Sequence, residues 1–196
     1  MSKIKRIILI VLVALGLSSC DALFQMSQMA NFAKCTFDFD SVNSVQMLGM
    51  NIHKDMTKSD LSVNQLLQLT NALMKRSLPV TFNVNLDINN PNSSDASMTK
   101  MDYILTLNDK KVISTTMDKS ISVPANSSNI VTIPVTTDLF ELFSGESGEA
   151  IMNLAFKLAG ASSDPVKVGI KIKPYITVGG QHLAYPDYIT MTKTLN

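Results

Sequence analysis

Two cysteines, two histidines and 8 glycines are all that 196 residues contain of those types, and the charges nearly cancel. Each shortage removes a class of function. The cysteines form no closely spaced pair for zinc, and neither histidine belongs to an H-E-x-x-H motif. The glycines never gather into a phosphate-cradling loop, and no serine stands in a G-x-S-x-G elbow. With 17 basic against 16 acidic residues there is no concentrated basic surface for a polyanion, so no nucleic-acid partner is expected. The apolar run Ile7–Leu17 is 11 residues long, where a membrane-spanning helix needs about 20. No catalytic constellation emerges, and we expect neither an enzyme nor a cofactor.

What is present is ordinary for a folded domain: 45% hydrophobic and 17% charged residues, in a chain long enough to bury one core. Its first segment is informative. Lys3, Lys5 and Arg6 precede the apolar run, Leu17-Ser18-Ser19 are mostly small, and Cys20 follows directly. A positive start, a short apolar stretch and small residues make a secretory signal. Ending on cysteine, it resembles the bacterial lipobox, in which the thiol takes a diacylglycerol and the signal is cut just before it. Residues 1–19 are then a lipoprotein signal peptide, Cys20 the lipid attachment site and residues 20–34 a lipidated tether. Cleavage would remove three positive charges and leave a slightly acidic chain, so lipid rather than charge would anchor it. Two or more acyl chains hold firmly, each buried methylene contributing about 0.8 kcal/mol. A lipidated Cys20 cannot pair with Cys35, which we read as a small buried hydrophobe beside Phe37 and Phe39.

Along the tether, Leu23, Met26, Met29 and Phe32 have near-helical spacing, and a short amphipathic helix and a flexible linker fit equally. From Cys35 the pattern changes to a period of two: Cys35, Phe37 and Phe39 alternate with Thr36, Asp38 and Asp40. A break at Ser41–Ser44 precedes a second extended piece, VQMLGMNI. Residues 59–76 read as a helix, capped at Ser62 or Asp60, carrying Leu66, Leu67, Leu69, Leu73 and Met74 on one face, and limited by Pro79. Val80, Phe82, Val84, Leu86 and Ile88 then give the clearest strand in the chain. Met101, Tyr103, Leu105 and Leu107 give another, with Asn108-Asp109 as a hairpin turn. Further strands are expected near 111–116, 121–123, 130–135, 166–172, 175–178 and 188–195, with Gly179-Gly180 as a turn. Residues 138–159 carry two helical stripes split by SGESG. Many short strands separated by turns argue for one mainly-β domain over 35–196, an antiparallel fibronectin/immunoglobulin-like β-sandwich with one or two added helices.

Three motifs carry a resemblance. A strand ends in Asn90-Pro91-Asn92, Met101-Asp102-Tyr103 follows about ten residues later, and SVPANSSNIVTIPV occupies Ser122–Val135. Together they resemble the group-two late-embryogenesis-abundant proteins, which share the water-stress-and-hypersensitive-response domain, and bacterial, Bacteroidetes-like lipoproteins of that type. The resemblance implies a β-sandwich flanked by helix, a non-catalytic role and an association with desiccation or stress. By its own chemistry the Asn-Pro-Asn corner ends a strand, because proline removes a donor and asparagine accepts left-handed backbone angles.

One set of side chains suggests a metal. Met47, Met50, His53 and Met56 recur every third residue, and thioethers with imidazole suit monovalent copper. On an extended strand that spacing throws successive side chains to opposite faces, so convergence requires a turn. Methionine also fills core gaps, and the chain has 12 of them. The function expected from all this is a lipid-anchored envelope protein, placed in the outer membrane, with inner-membrane retention left open by Asp21 directly after Cys20, that displays the sandwich to an unknown protein or small-molecule partner. The alternatives are a structural subunit of a surface assembly that accepts a partner's strand at a sheet edge, and a periplasmic copper-binding protein.

Overall fold

A computed structural model describes residues 24–195 apart from 25, 28, 29, 162–164 and 179–180. The lipobox, Cys20 and the Gly179-Gly180 turn lie outside the described residues. In chain order the elements are β1 (Thr36–Met47), β2 (Met50–Asn51), α1 (Val63–Lys75), β3 (Pro79–Asn90), β4 (Ala96–Met98), β5 (Lys100–Leu107), β6 (Lys110–Met117), β7 (Ile121–Val123), β8 (Ser127–Asp138), α2 (Leu139–Leu142), α3 (Gly148–Leu158), β9 (Val166–Val178), β10 (Gln181–Ala184) and β11 (Ile189–Leu195).

The strands form two antiparallel sheets and a small ribbon. One sheet has the order β2-β1-β3-β8; the other runs β10-β9-β5-β6, with β11 also paired to β9; β4 and β7 make the ribbon. β11 takes residues 166–172 of β9 and β10 takes 175–178, so the two share one edge of that long strand. The inward face of β3 buries Val80, Phe82, Val84, Leu86 and Ile88 against Met101, Tyr103, Leu105 and Leu107 of β5 and Val166, Val168, Ile170 and Ile172 of β9. Period-two patterning thus supplies both walls of one core, and the protein is the mainly-β antiparallel sandwich expected from its sequence.

Several local expectations need correction. The break at Ser41–Ser44 is no gap: β1 runs through it, with register shifts between Phe39 and Ser41 and between Asn43 and Gln46 that absorb the extra residues as bulges. The piece VQMLGMNI is not one extended segment either. It reverses at Leu48-Gly49, where both residues have positive φ (54° and 76°), and Met47 pairs with Met50 across the turn. β4 and β10 are short strands whose pairing partners, not their own patterning, define them.

The helices fall where the apolar stripes put them. α1 starts at Ser62, whose hydroxyl accepts from Gln65 N while Gln65 Oε1 accepts from Ser62 N, a reciprocal cap. α3 buries Ile151, Met152, Leu154, Ala155, Phe156 and Leu158 and packs against β1 and β9. Of the expected stripe of α1, Leu69 is buried and Leu73 half-buried against the core, joined there by Ala72, while Leu66, Leu67 and Met74 face solvent. On the opposite side of the sandwich Lys193 of β11 reaches across to β1, donating to the carbonyls of Phe39 (3.1 Å) and Asp40 (2.8 Å) and so covering that exposed edge.

Candidate functional site

A densely hydrogen-bonded polar group stands at the corner where β3 ends. Asn90 is completely buried. Its Nδ2 donates to the carbonyls of Val123 (2.9 Å), Ser94 (3.1 Å) and Pro124 (3.1 Å), and its Oδ1 accepts from Asn92 N (3.0 Å) and Asn92 Nδ2 (2.7 Å). The Asn-Pro-Asn motif and the SVPANSSN motif, 30 residues apart in sequence, are therefore two halves of one hydrogen-bonded corner. Asn126 supports it with positive φ (51°) and an N–H bonded to the Asn92 carbonyl at 3.1 Å.

The same corner holds the N-terminal tether. Asn92 Nδ2 donates to Asn31 O (2.9 Å), and Asn31 Nδ2 returns to Ser94 Oγ (2.8 Å) and Asp95 O (3.3 Å). Phe32 is buried next to it, and the described backbone before it is helical at Phe24, Met26, Ser27 and residues 30–32. Asn31 carries no local signal of this role, because its partners are more than sixty residues away in sequence.

Cys35 follows at once and is buried, with its thiol 3.5 Å from Asn31 O. Burial pushes the thiol up to about 11, so little thiolate exists at neutral pH. A thiol-specific reagent is therefore expected to modify Cys35 only as fast as the domain opens, with full reactivity in denaturant. Rapid modification of the folded domain would contradict that placement.

The methionine–histidine set separates. The hairpin turn does bring Met47 and Met50 side by side, but as core: both are buried, while His53 is exposed and Met56 only half-buried against the core. Met98 and Met101 are core residues as well. His182 sits on exposed β10 with its Nδ1 3.0 Å from Thr177 Oγ1. Among the described residues no three His, Cys, Asp or Glu side chains group closely enough to hold a metal ion. A recess of about 500 Å³ between α1 and the β1–β2 turn is lined by Leu48, Gln68, Asn71, Lys75, Ser77 and Pro79, with Lys75 its one ionisable side chain.

Two buried-edge carboxylates have perturbed acidity. Burial opposes ionisation of Asp138, but bonds from the Ser77 hydroxyl and the N–H groups of Leu78, Phe140 and Glu141 outweigh it and hold the carboxyl below its usual range. Burial likewise opposes ionisation of Asp102, on the outer face of the second sheet, and is outweighed by the hydroxyls of Thr116 and Tyr175 (2.6 Å each) and by Lys100 and Lys173. Both arrangements satisfy a charge within the scaffold. Among the described residues, the hydroxyls that bond to them, those of Ser77, Thr116 and Tyr175, are not joined by a histidine in these networks.

Fold and corner together define an antiparallel β-sandwich domain whose strand-end asparagines lock the incoming chain in place. The model of the late embryogenesis abundant protein family matches residues 85–186, more than half of the chain, and the chain belongs to that generally non-enzymatic family. It is similar to solved structures as well. A crystal structure of a protein from Archaeoglobus fulgidus aligns at 12% identity with a TM-score of 0.34, covering 79% of this chain and 95% of that one. A solution structure from Arabidopsis thaliana aligns at 13% and 0.40 over 62% and 72%, and a late embryogenesis abundant protein in solution at 12% and 0.37 over 99% and 87%. No curated protein matches the chain.

Proposed function

We propose that the mature protein is a cell-envelope lipoprotein, held on a bilayer through lipid on Cys20, that presents its sandwich as a non-catalytic binding or scaffolding module. The observation that carries this reading is the run Leu17-Ser18-Ser19-Cys20 directly behind Lys3, Lys5, Arg6 and the apolar Ile7–Leu17. The domain supplies a matching attachment: the tether is clamped by Asn31 to the Asn90–Asn92 corner. A tether fixed at its root transmits the position of the anchor to the domain. Family membership supports a role linked to water stress, and the outer membrane is the proposed site of the anchor.

The sheet edges favour binding through faces or loops over strand addition. β8 carries Pro134 mid-strand, β6 opens with Lys110 and Lys111, and Lys193 occupies the carbonyls of β1. The test is chemical and then cellular. Native protein should show a mass equal to residues 20–196 plus acyl groups, and Cys20→Ala should move it almost completely from the membrane fraction to the soluble one. A native mass that retains the leader, or an unmodified Cys20, overturns the anchor.

A further inference from the structure

α1 is apolar over more of its circumference than the core uses. At about 100° per residue, Val63, Leu66, Leu67 and Met74 fall within an arc of about 100° around Thr70, while Leu69 and Ala72 point away from it into the core. The four side chains are 73%, 40%, 58% and 79% exposed. The helix contains no acidic residue and ends in Lys75, followed by Arg76. The remaining face carries Asn64, Gln68 and Asn71. Among the described residues, four of the nine exposed large hydrophobics lie on this one helix, so the stripe is a patch and not scatter.

We infer that this stripe rests in the interfacial region of the bilayer that carries the lipid anchor, an inference that rests on the lipoprotein reading above. Size and reach select this occupant. Such a stripe offers a few hundred Å², well under the ~800 Å² per partner of a stable protein interface, which argues against a second copy. An amphipathic helix without acid, with Lys75 in its last turn, has the chemistry of a membrane-surface helix. The tether turns a weak contact into an intramolecular one at high effective concentration.

Geometry fixes the posture. Thr36 pairs with Asn89 at the tether end, and Met47 pairs with Val80 at the end where α1 leads into β3. β3 therefore separates the two ends by about 30 Å at ~3.3 Å per residue. The chain from Cys20 to Phe32 spans at most about 40 Å when fully extended, and less with its described residues helical. For α1 to reach the bilayer, the end of the sandwich that carries it must turn toward the membrane, with the tether running back alongside the domain.

The experiment uses the full lipidated protein in phosphatidylethanolamine–phosphatidylglycerol vesicles, with an environment-sensitive fluorophore on Leu67→Cys or, as a control, on exposed Ser114→Cys. Buried Cys35 stays unlabelled in the folded state. The label at 67 should emit to the blue and lose intensity with quencher-bearing lipids, the label at 114 should do neither, and Val63→Gln with Met74→Gln should abolish the response at 67. A water-like label at 67 on protein whose Cys20 is shown by mass to be acylated overturns this inference alone. An unmodified Cys20 overturns both readings. A blue shift in detergent that grows with protein concentration assigns the face to a second copy, and overturns the membrane assignment.

Discussion

Asn90→Asp is expected to destabilise the domain by about 3–5 kcal/mol at neutral pH and to lower its melting temperature by roughly 10 °C or more. The change is isosteric, so it opens no cavity, and the whole effect comes from exchanging a donor for an acceptor. Nδ2 of Asn90 faces three carbonyl oxygens, those of Ser94, Val123 and Pro124. A carboxylate oxygen there meets three like dipoles in a fully buried site, and the neutral acid satisfies at most one of them. The variant's carboxyl should therefore have a pKa above its unfolded value. A raised acid binds a proton in the folded state that the unfolded state has released, so its penalty grows as pH rises above about 4. Urea denaturation at pH 4 and pH 7 checks this: the deficit against the parent should be smaller at the lower pH. Asn90→Ala should also destabilise, without that pH dependence. Because Asn92 contacts Asn31, both variants should free the tether and raise proteolysis near residue 31 before global unfolding. A variant within about 0.5 kcal/mol of the parent would show that the corner is not what holds the three segments together.

Asp138→Ala is expected to cost about 2–4 kcal/mol. The carboxylate stands where β8 ends and α2 begins, accepting from Ser77 Oγ (2.6 Å), Leu78 N (3.0 Å) and Phe140 N (2.9 Å). Leu78 and Phe140 are buried residues, so truncation leaves N–H groups without an acceptor. Asp138→Asn keeps an oxygen for the two N–H groups and lets its amide donate to Ser77, so it should cost about 1 kcal/mol or less. The pH dependence has a definite sign. The carboxyl of Asp138 is held below its usual range in the fold, so its contribution is complete above the unfolded value near 4 and disappears as pH falls through the lower, folded value. Asp102 has the same direction and survives in both variants. Stability of the parent should therefore decline below about pH 4, and Asp138→Asn should decline less steeply. Parallel parent and variant profiles would remove the assigned role.

The fold was legible where one interaction, apolar burial, writes itself directly into local order. Val80–Ile88 alternates because one face of β3 is core, and the same logic located β5, the 166–172 part of β9 and α3. Asn108-Asp109 was readable as a hairpin for a related reason: both residues take positive φ (46° and 64°), which asparagine and aspartate tolerate. The β1–β2 hairpin was not, since Leu48 stands at a positive-φ position without a turn residue's signature. Bulges preserved β1 across a stretch whose composition looks like a break.

Sequence alone determined the alternation of the walls, the candidate cap of α1, the family motifs and the expectation of lipid at Cys20, because each depends on residues within a few positions of one another. Tertiary structure alone decided that Asn90, Pro124 and Asn31 meet at one corner, that Met47 and Met50 are buried packing while His53 is exposed, and that Leu66, Leu67 and Met74 of α1's apolar stripe are left in solvent. Those outcomes depend on which distant segment arrives at a given surface, and no periodicity in a single chain records the arrival.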